Sequence, residues 1–129
     1  MDSVRVLIVE DDPSIQDILE AALMDAGFSV DAKATAEAAI EILETADPVY
    51  TAVMTDINLT PRGATGWDVG RRARELNAAV AVVYMTGDAA ADWPSHGVPG
   101  SILLSKPFAP AQAVTAISHL LNTGAPPPA

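Results

Sequence analysis

The 129-residue sequence contains no cysteine, which excludes disulfides and thiolate metal sites and leaves stability to packing. Basic residues are scarce: 7 Lys and Arg stand against 17 Asp and Glu, a formal charge of -10. Nucleic acid is therefore not expected as a direct partner, because binding it requires a cationic face that displaces counterions from phosphates. Acidic surfaces should be repelled and basic ones attracted. No uninterrupted apolar run is long enough to cross a bilayer. The amino-terminal Met-Asp-Ser-Val-Arg-Val passes directly into a strand pattern without a leader-like apolar segment. The expectation is a cytoplasmic protein with no membrane partner. What the chain has in quantity is apolar residues, 50% of the total, which gives one domain of this length a core to bury.

The stretch 49–58, Val-Tyr-Thr-Ala-Val-Met-Thr-Asp-Ile-Asn, reads as an apolar, β-branched strand. It delivers one carboxylate, Asp56, at its carboxyl end, just before a loop containing Pro61, Arg62 and Gly63. Strands apolar on both faces belong to parallel sheets covered by helices on both sides, and ligands bind at the carboxyl ends of such strands. An Asp there also begins turns, so the position alone does not assign it a role.

The rest of the chain repeats the pattern. Residues 4–9 form a buried-strand run that ends in Glu10, Asp11 and Asp12. Asp12 is a natural N-cap for a helix with Pro13 at its first position. Ile15, Ile18, Leu19, Ala22 and Leu23 share one face of that helix, and Gly27 closes it. Residues 28–32 make a less apolar, edge-type strand. Thr35 caps a second helix with Ala36, Ala39, Ile40 and Leu43 inward, which Asp47-Pro48 breaks. The loop 57–65 is longer than the usual connection in an α/β unit. A third helix, 66–77, turns Val69, Ala73 and Leu76 inward and Arg71, Arg72, Arg74 and Glu75 to solvent. Residues 80–85 are the most continuously apolar strand, ending at Thr86-Gly87-Asp88. Pro94, Gly97, Pro99 and Gly100 leave the fourth helix short or irregular. A last strand, 101–105, runs into Lys106-Pro107-Phe108, and a final helix starts near Pro110 with Ala113, Val114, Ile117, Leu120 and Leu121 inward. Residues 124–129 read as a disordered Pro-rich tail, so the expected domain is 1–123. Trp67 and Tyr84 read as packing residues and Trp93 as either a contact residue or a lid. His96 and His119 suggest no site.

Five β/α repeats with right-handed crossovers give an α/β fold, a parallel sheet with helices on both faces. The ends of the first, third, fourth and last strands then meet in one crevice, with Glu10, Asp11, Asp12, Asp56, Thr86 and Lys106. Two carboxylates about 4 Å apart at an effective dielectric near 20 repel by roughly 4 kcal/mol. Such crowding calls for positive charge. Lys106 supplies part, and a hard divalent cation the rest; with only oxygen donors on offer, Mg²⁺ fits best. A cation, an ammonium and a hydroxyl together neutralise and orient a phosphoryl group, with Asp56 placed as the in-line nucleophile. A flavin carrier fits poorly, because acids stand where its phosphate-binding turn needs Gly, Ser or Thr.

An acidic pair after the first strand, Asp after the third, Thr after the fourth and Lys-Pro-Phe after the fifth resemble the receiver domain of bacterial response regulators. The similarity covers nearly the whole chain. It implies a flavodoxin-like strand order 2-1-3-4-5, Asp56 as phosphoacceptor, and Mg²⁺ held by Glu10, Asp11, Asp56 and the main-chain carbonyl of Asn58. It also implies Thr86 and Lys106 on the phosphoryl oxygens and a cis Lys106–Pro107 peptide. The implied donor is a sensor histidine kinase or histidine phosphotransfer protein, and the implied output is a protein target or onward transfer of the phosphoryl group. Such a chain promotes only its own phosphorylation and dephosphorylation. Asn58 and Asp88, each two places beyond a site residue, are expected to tune hydrolysis. Receivers commonly carry Tyr or Phe three residues before the lysine, whereas this chain has Leu103, so an aromatic relay from Thr86 does not follow. With the weak fourth helix, Leu103 keeps open a second reading, a receiver-like interaction scaffold that is never phosphorylated.

Overall fold

A computed structural model describes residues 4–46, 50–59, 63–88 and 90–123. The break at Asp47-Pro48, the strand residue Val49, the loop residues Pro61 and Arg62 and the tail 124–129 lie outside them. The elements alternate: β1 (Arg5–Val9), α1 (Pro13–Asp25), β2 (Ser29–Lys33), α2 (Ala36–Thr45), β3 (Ala52–Asp56), α3 (Gly66–Leu76) and β4 (Ala81–Thr86). A 3₁₀ turn (Ala90–Asp92) and the single-turn α4 (Trp93–His96) then precede β5 (Ile102–Ser105) and α5 (Pro110–Thr123). The five strands form one parallel sheet in the order β2-β1-β3-β4-β5, with β2 at an edge as its weaker apolar character predicts.

Side chains of alternate strand residues leave the sheet on opposite faces. Leu7, Val9, Val53, Val82 and Tyr84 join α2 and α3 in one apolar cluster. Val6, Ile8, Met54, Val83 and Met85 join α1 and α5 in another. Burial of β1, β3 and β4 on both faces fixes their register, because a one-residue slip would exchange the two sets. The helix starts follow local chemistry. Asp12 Oδ1 accepts the Ser14 N–H at 2.9 Å, and Thr35 Oγ1 accepts the Ala38 N–H at 3.1 Å. Gly27, at φ 98°, ends α1 in a Schellman turn: Phe28 N–H bonds Leu23 C=O at 3.1 Å and Gly27 N–H bonds Met24 C=O at 3.0 Å.

Two residues expected inward are not. Ile18 is 54% exposed and Leu76 37%. The apolar stripe of α1 is wider than its contacts cover, and Leu76 is the last residue of α3. The arginines of α3 are tied down more than a solvated face implies. Arg71 pairs with Asp68, Arg72 pairs with Glu44 at 2.8 Å, and Arg74 donates to the Pro99 carbonyl.

Candidate functional site

Parallel strands place four chain segments at one sheet end. Glu10 follows β1 and is 1% exposed, Asp56 ends β3 at 7%, and Thr86 ends β4 at 1%. The Lys106 N–H donates to the Thr86 carbonyl at 2.7 Å, which fixes the turn after β5, and the Lys106–Pro107 peptide is cis. Lys106 Nζ lies 3.3 Å from both Glu10 carboxylate oxygens and 3.2 Å from Asp56 Oδ2. One oxygen each of Glu10, Asp11 and Asp56 fall within 4.8 Å of one another. Asp12 stays outside this group, because its carboxylate caps α1.

The donor set is all carboxylate, which suits a hard cation. Glu10, Asp11 and Asp56 are the residues that would hold such an ion, which would neutralise the charge they share. Burial first, and the Asp56 carboxylate second, push the Glu10 carboxyl up from 4.5 to about 7 against the opposing pull of Lys106. For Lys106, burial works downward, but the two carboxylates override it and leave its pKa raised. The acids therefore keep the ammonium charged, while the ammonium only partly satisfies the acids.

A pH dependence follows. The folded Glu10 carboxyl titrates above its unfolded value of 4.5, so the native state retains a proton that the unfolded chain has released. The contribution of Glu10 to stability is therefore greatest below pH 4.5 and is lost as pH rises through about 7, by at most about 3 kcal/mol. Mg²⁺ requires the ionised carboxylate. The rise in melting temperature on adding Mg²⁺ should therefore be larger at pH 8 than at pH 6. A Mg²⁺ shift that is the same at both values would contradict the assignment.

The remaining predicted residues flank this group. Asn58 and Asp88 are exposed and bonded to each other, Asn58 Nδ2 to Asp88 Oδ1 at 2.8 Å. The Asp88 N–H donates to Thr86 Oγ1 at 3.1 Å, so Thr86 and the two flanking residues form one chain of contacts. Leu103 is not among the acids. It is half-buried in the apolar cluster on the α2–α3 side, in register with Tyr84. The supports of the site were not evident from the sequence. Gly66 packs so tightly on β3 that a Cβ would lie 2.0 Å from the Asp56 carbonyl oxygen, and its N–H bonds Ile57 C=O at 2.9 Å. Glu37 of α2 accepts the Ala64 N–H at 2.9 Å and fastens the far end of the loop that follows Asp56. Of these, only the glycine at a helix start left a signal in the sequence.

Comparisons with known proteins agree with this geometry. The sequence profile of the response regulator receiver domain matches residues 6–118. Among curated relatives, the transcriptional regulatory protein TcrA of Mycobacterium tuberculosis is 33% identical over 107 residues, 81% of this chain and 41% of that protein. CusR of Escherichia coli is 31% identical over 126 residues, 94% of this chain and 52% of that protein. The chain thus spans about half or less of the length of these relatives. Among solved structures, a response regulator receiver protein from Sinorhizobium medicae matches with TM-score 0.91 and 41% identity, over 95% of this chain and 98% of that one. The receiver domain of the sensor histidine kinase PA1611 from Pseudomonas aeruginosa, solved with a magnesium ion coordinated in its active-site cleft, shares the fold. Its TM-score is 0.77 at 23% identity, over 95% of this chain and all of that one, 100%. A five-stranded parallel sheet carrying its acids and lysine at one end, matched by the family profile over residues 6–118, makes this chain a member of the response regulator receiver domain family.

Proposed function

We propose that the chain takes a phosphoryl group onto Asp56 from a phosphohistidine, in a reaction that requires Mg²⁺, and later loses it to water. The carrying observation is that Lys106 Nζ bridges Glu10 and Asp56 beside a third carboxylate, Asp11. In this reading Glu10, Asp11, Asp56 and the Asn58 carbonyl hold the cation, which supplies charge neutralisation for the phosphoryl oxygens. Asp56 attacks phosphorus and the histidine nitrogen leaves. Lys106 moves from the carboxylates onto an incoming phosphoryl oxygen, and the Thr86 hydroxyl donates to another. The signal passes through protein contacts or onward phosphotransfer.

A second observation supports a helical phosphodonor. Ile15, Ile18, Pro107 and Phe108 line a groove of ≈ 270 Å³ that also takes in Lys106; Ile18 in its wall is exposed, and α1 carries the exposed acid Asp17 beside it in sequence. An amphipathic helix with a basic flank fits that face. A small-molecule phosphodonor with Mg²⁺ is expected to label the protein, and chelation of the metal to prevent it. Ile18→Lys should leave this labelling intact and slow transfer from a phosphohistidine protein about tenfold, the loss of one buried apolar anchor. If neither small donors nor kinases give label, the scaffold reading replaces this one.

The bonded pair Asn58 and Asp88 stands over the approach of water to the phosphoryl group and sets its lifetime. Asp88→Ala should change the decay rate of the phosphorylated form severalfold. An unchanged rate would remove the pair from the account.

A further inference from the structure

Tyr84 carries a polar contact that the reaction does not use. Its ring is fully buried, and its Oη accepts the Val98 N–H at 3.2 Å. Val98 belongs to the connection between β4 and β5, which holds little regular structure: one 3₁₀ turn and the single turn of α4. Several features hold Tyr84 still. Trp67 of α3 packs against it at a tilt, with ring centroids 4.9 Å apart and planes 54° apart. Helix α3 approaches so closely that a Cβ at Gly70 would lie 2.0 Å from the tyrosine oxygen. Leu103, its neighbour across β5, offers no polar atom for the same task.

The two ends of this connection are therefore held differently. At the β4 end, the Asp88 N–H rests on the Thr86 hydroxyl and the Asp88 carboxylate on Asn58, both part of the site. At the β5 end, Val98 is held by a core tyrosine, and Ser101 Oγ bonds the Val98 carbonyl at 2.7 Å. Between them stands Trp93, whose indole N–H donates to Ser101 Oγ at 2.9 Å. A hydroxyl that donates to a phosphoryl oxygen while accepting from Asp88 must take one rotamer, and Asp88 follows it.

We propose that Tyr84, through its bond to Val98, is the fixed point of this receiver's switch. Displacement that starts at Thr86 stops at Val98 and appears at the intervening turn around Trp93. This rests on the phosphorylation reading above for its trigger, whereas the fixed point itself is a property of the metal-free chain. Tyr84 is a positioning residue in this scheme and touches no phosphoryl atom.

The test compares wild type with Tyr84→Phe, which removes one oxygen and keeps the ring. The readouts are amide hydrogen exchange at Val98 and the Trp93 indole N–H resonance, with and without Mg²⁺ and beryllofluoride. Without ligand, Val98 exchange should rise roughly fivefold or more in Tyr84→Phe, as expected for a lost hydrogen bond. In wild type the phosphoryl mimic should shift the Trp93 resonance and leave Val98 protected. Tyr84→Phe should bind the mimic equally well but lose at least half of the Trp93 shift. Gly70→Ala, which drives a methyl group against the tyrosine oxygen, should repeat the exchange result. Wild-type Val98 exchange in Tyr84→Phe, loss of Val98 protection when wild type binds the mimic, or a full Trp93 shift in the variant would each overturn the proposal. If wild type fails to bind the mimic, the phosphorylation reading falls, and the ligand-free exchange result still decides the anchor.

Discussion

Asp56→Asn is expected to take up no phosphoryl group from any donor and, without metal at pH 8, to be more stable than wild type. The first effect follows from chemistry: an amide nitrogen whose lone pair is delocalised does not displace a leaving group at phosphorus, so no acyl phosphate forms. The second follows from the charge balance. Asp56 faces two other carboxylates within 4.8 Å, each a repulsion of roughly 3–4 kcal/mol at an effective dielectric near 20. Against them stands one ammonium at 3.2 Å, an attraction of about 5 kcal/mol on the same scale. The balance favours the neutral amide, and the burial of Asp56 adds to it. A gain of about 1–2 kcal/mol, or roughly 5 °C in melting temperature, is expected. Adding Mg²⁺ should narrow the difference, because the variant offers the cation one carboxylate fewer. A variant that melts lower than wild type in chelator would mean that the lysine attraction outweighs the repulsion, and the case for a required cation would fail.

Lys106→Met is expected to act in the opposite direction on stability. Lys106 is the cation that contacts Glu10 and Asp56, whose side chains are 1% and 10% exposed. Removing one partner from a buried ion group leaves charge uncompensated, at a cost of about 3 kcal/mol. The sign of the pH dependence is fixed. Without the lysine, which pulls the Glu10 carboxyl down, that group titrates still higher in the folded state, so the penalty is small where it is protonated, near pH 5, and full at pH 8. Mg²⁺ at pH 8 should restore much of the loss. Phosphorylation by a small donor should fall about 100-fold, since the variant lacks a charged donor to the transferring group. Equal destabilisation at pH 5 and pH 8 would show that Lys106 matters for its packing rather than its charge.

Much of the site was legible because its residues lie at strand ends, and strand ends are written locally. The apolar run 52–56 followed by a loop marks Asp56 without reference to any other element, and Thr86 and Lys106 are marked in the same way. The three consecutive acids were harder. Asp12 declares itself through Pro13 and the helix that follows, whereas the inward turn of Glu10 depends on its being covered by the neighbouring strands. Ile18 and Leu76 were misread for a related reason: helical periodicity identifies an apolar face but says nothing about how much of it a sheet will cover. The bonds from Asn58 to Asp88 and from Tyr84 to Val98 link residues 30 and 14 positions apart, and no pattern in either segment refers to the other.

The alternation of strands and helices, the strand-end acids, hydroxyl and lysine, and the brevity of the fourth helix are all set locally along the chain, because periodicity, caps and proline act within a few residues. Which acids share the lysine, which apolar residues remain outside, and which core side chain holds the irregular connection are settled by packing. Those outcomes depend on strand order and on distances across the sheet, and such distances arise only when separate segments pack together.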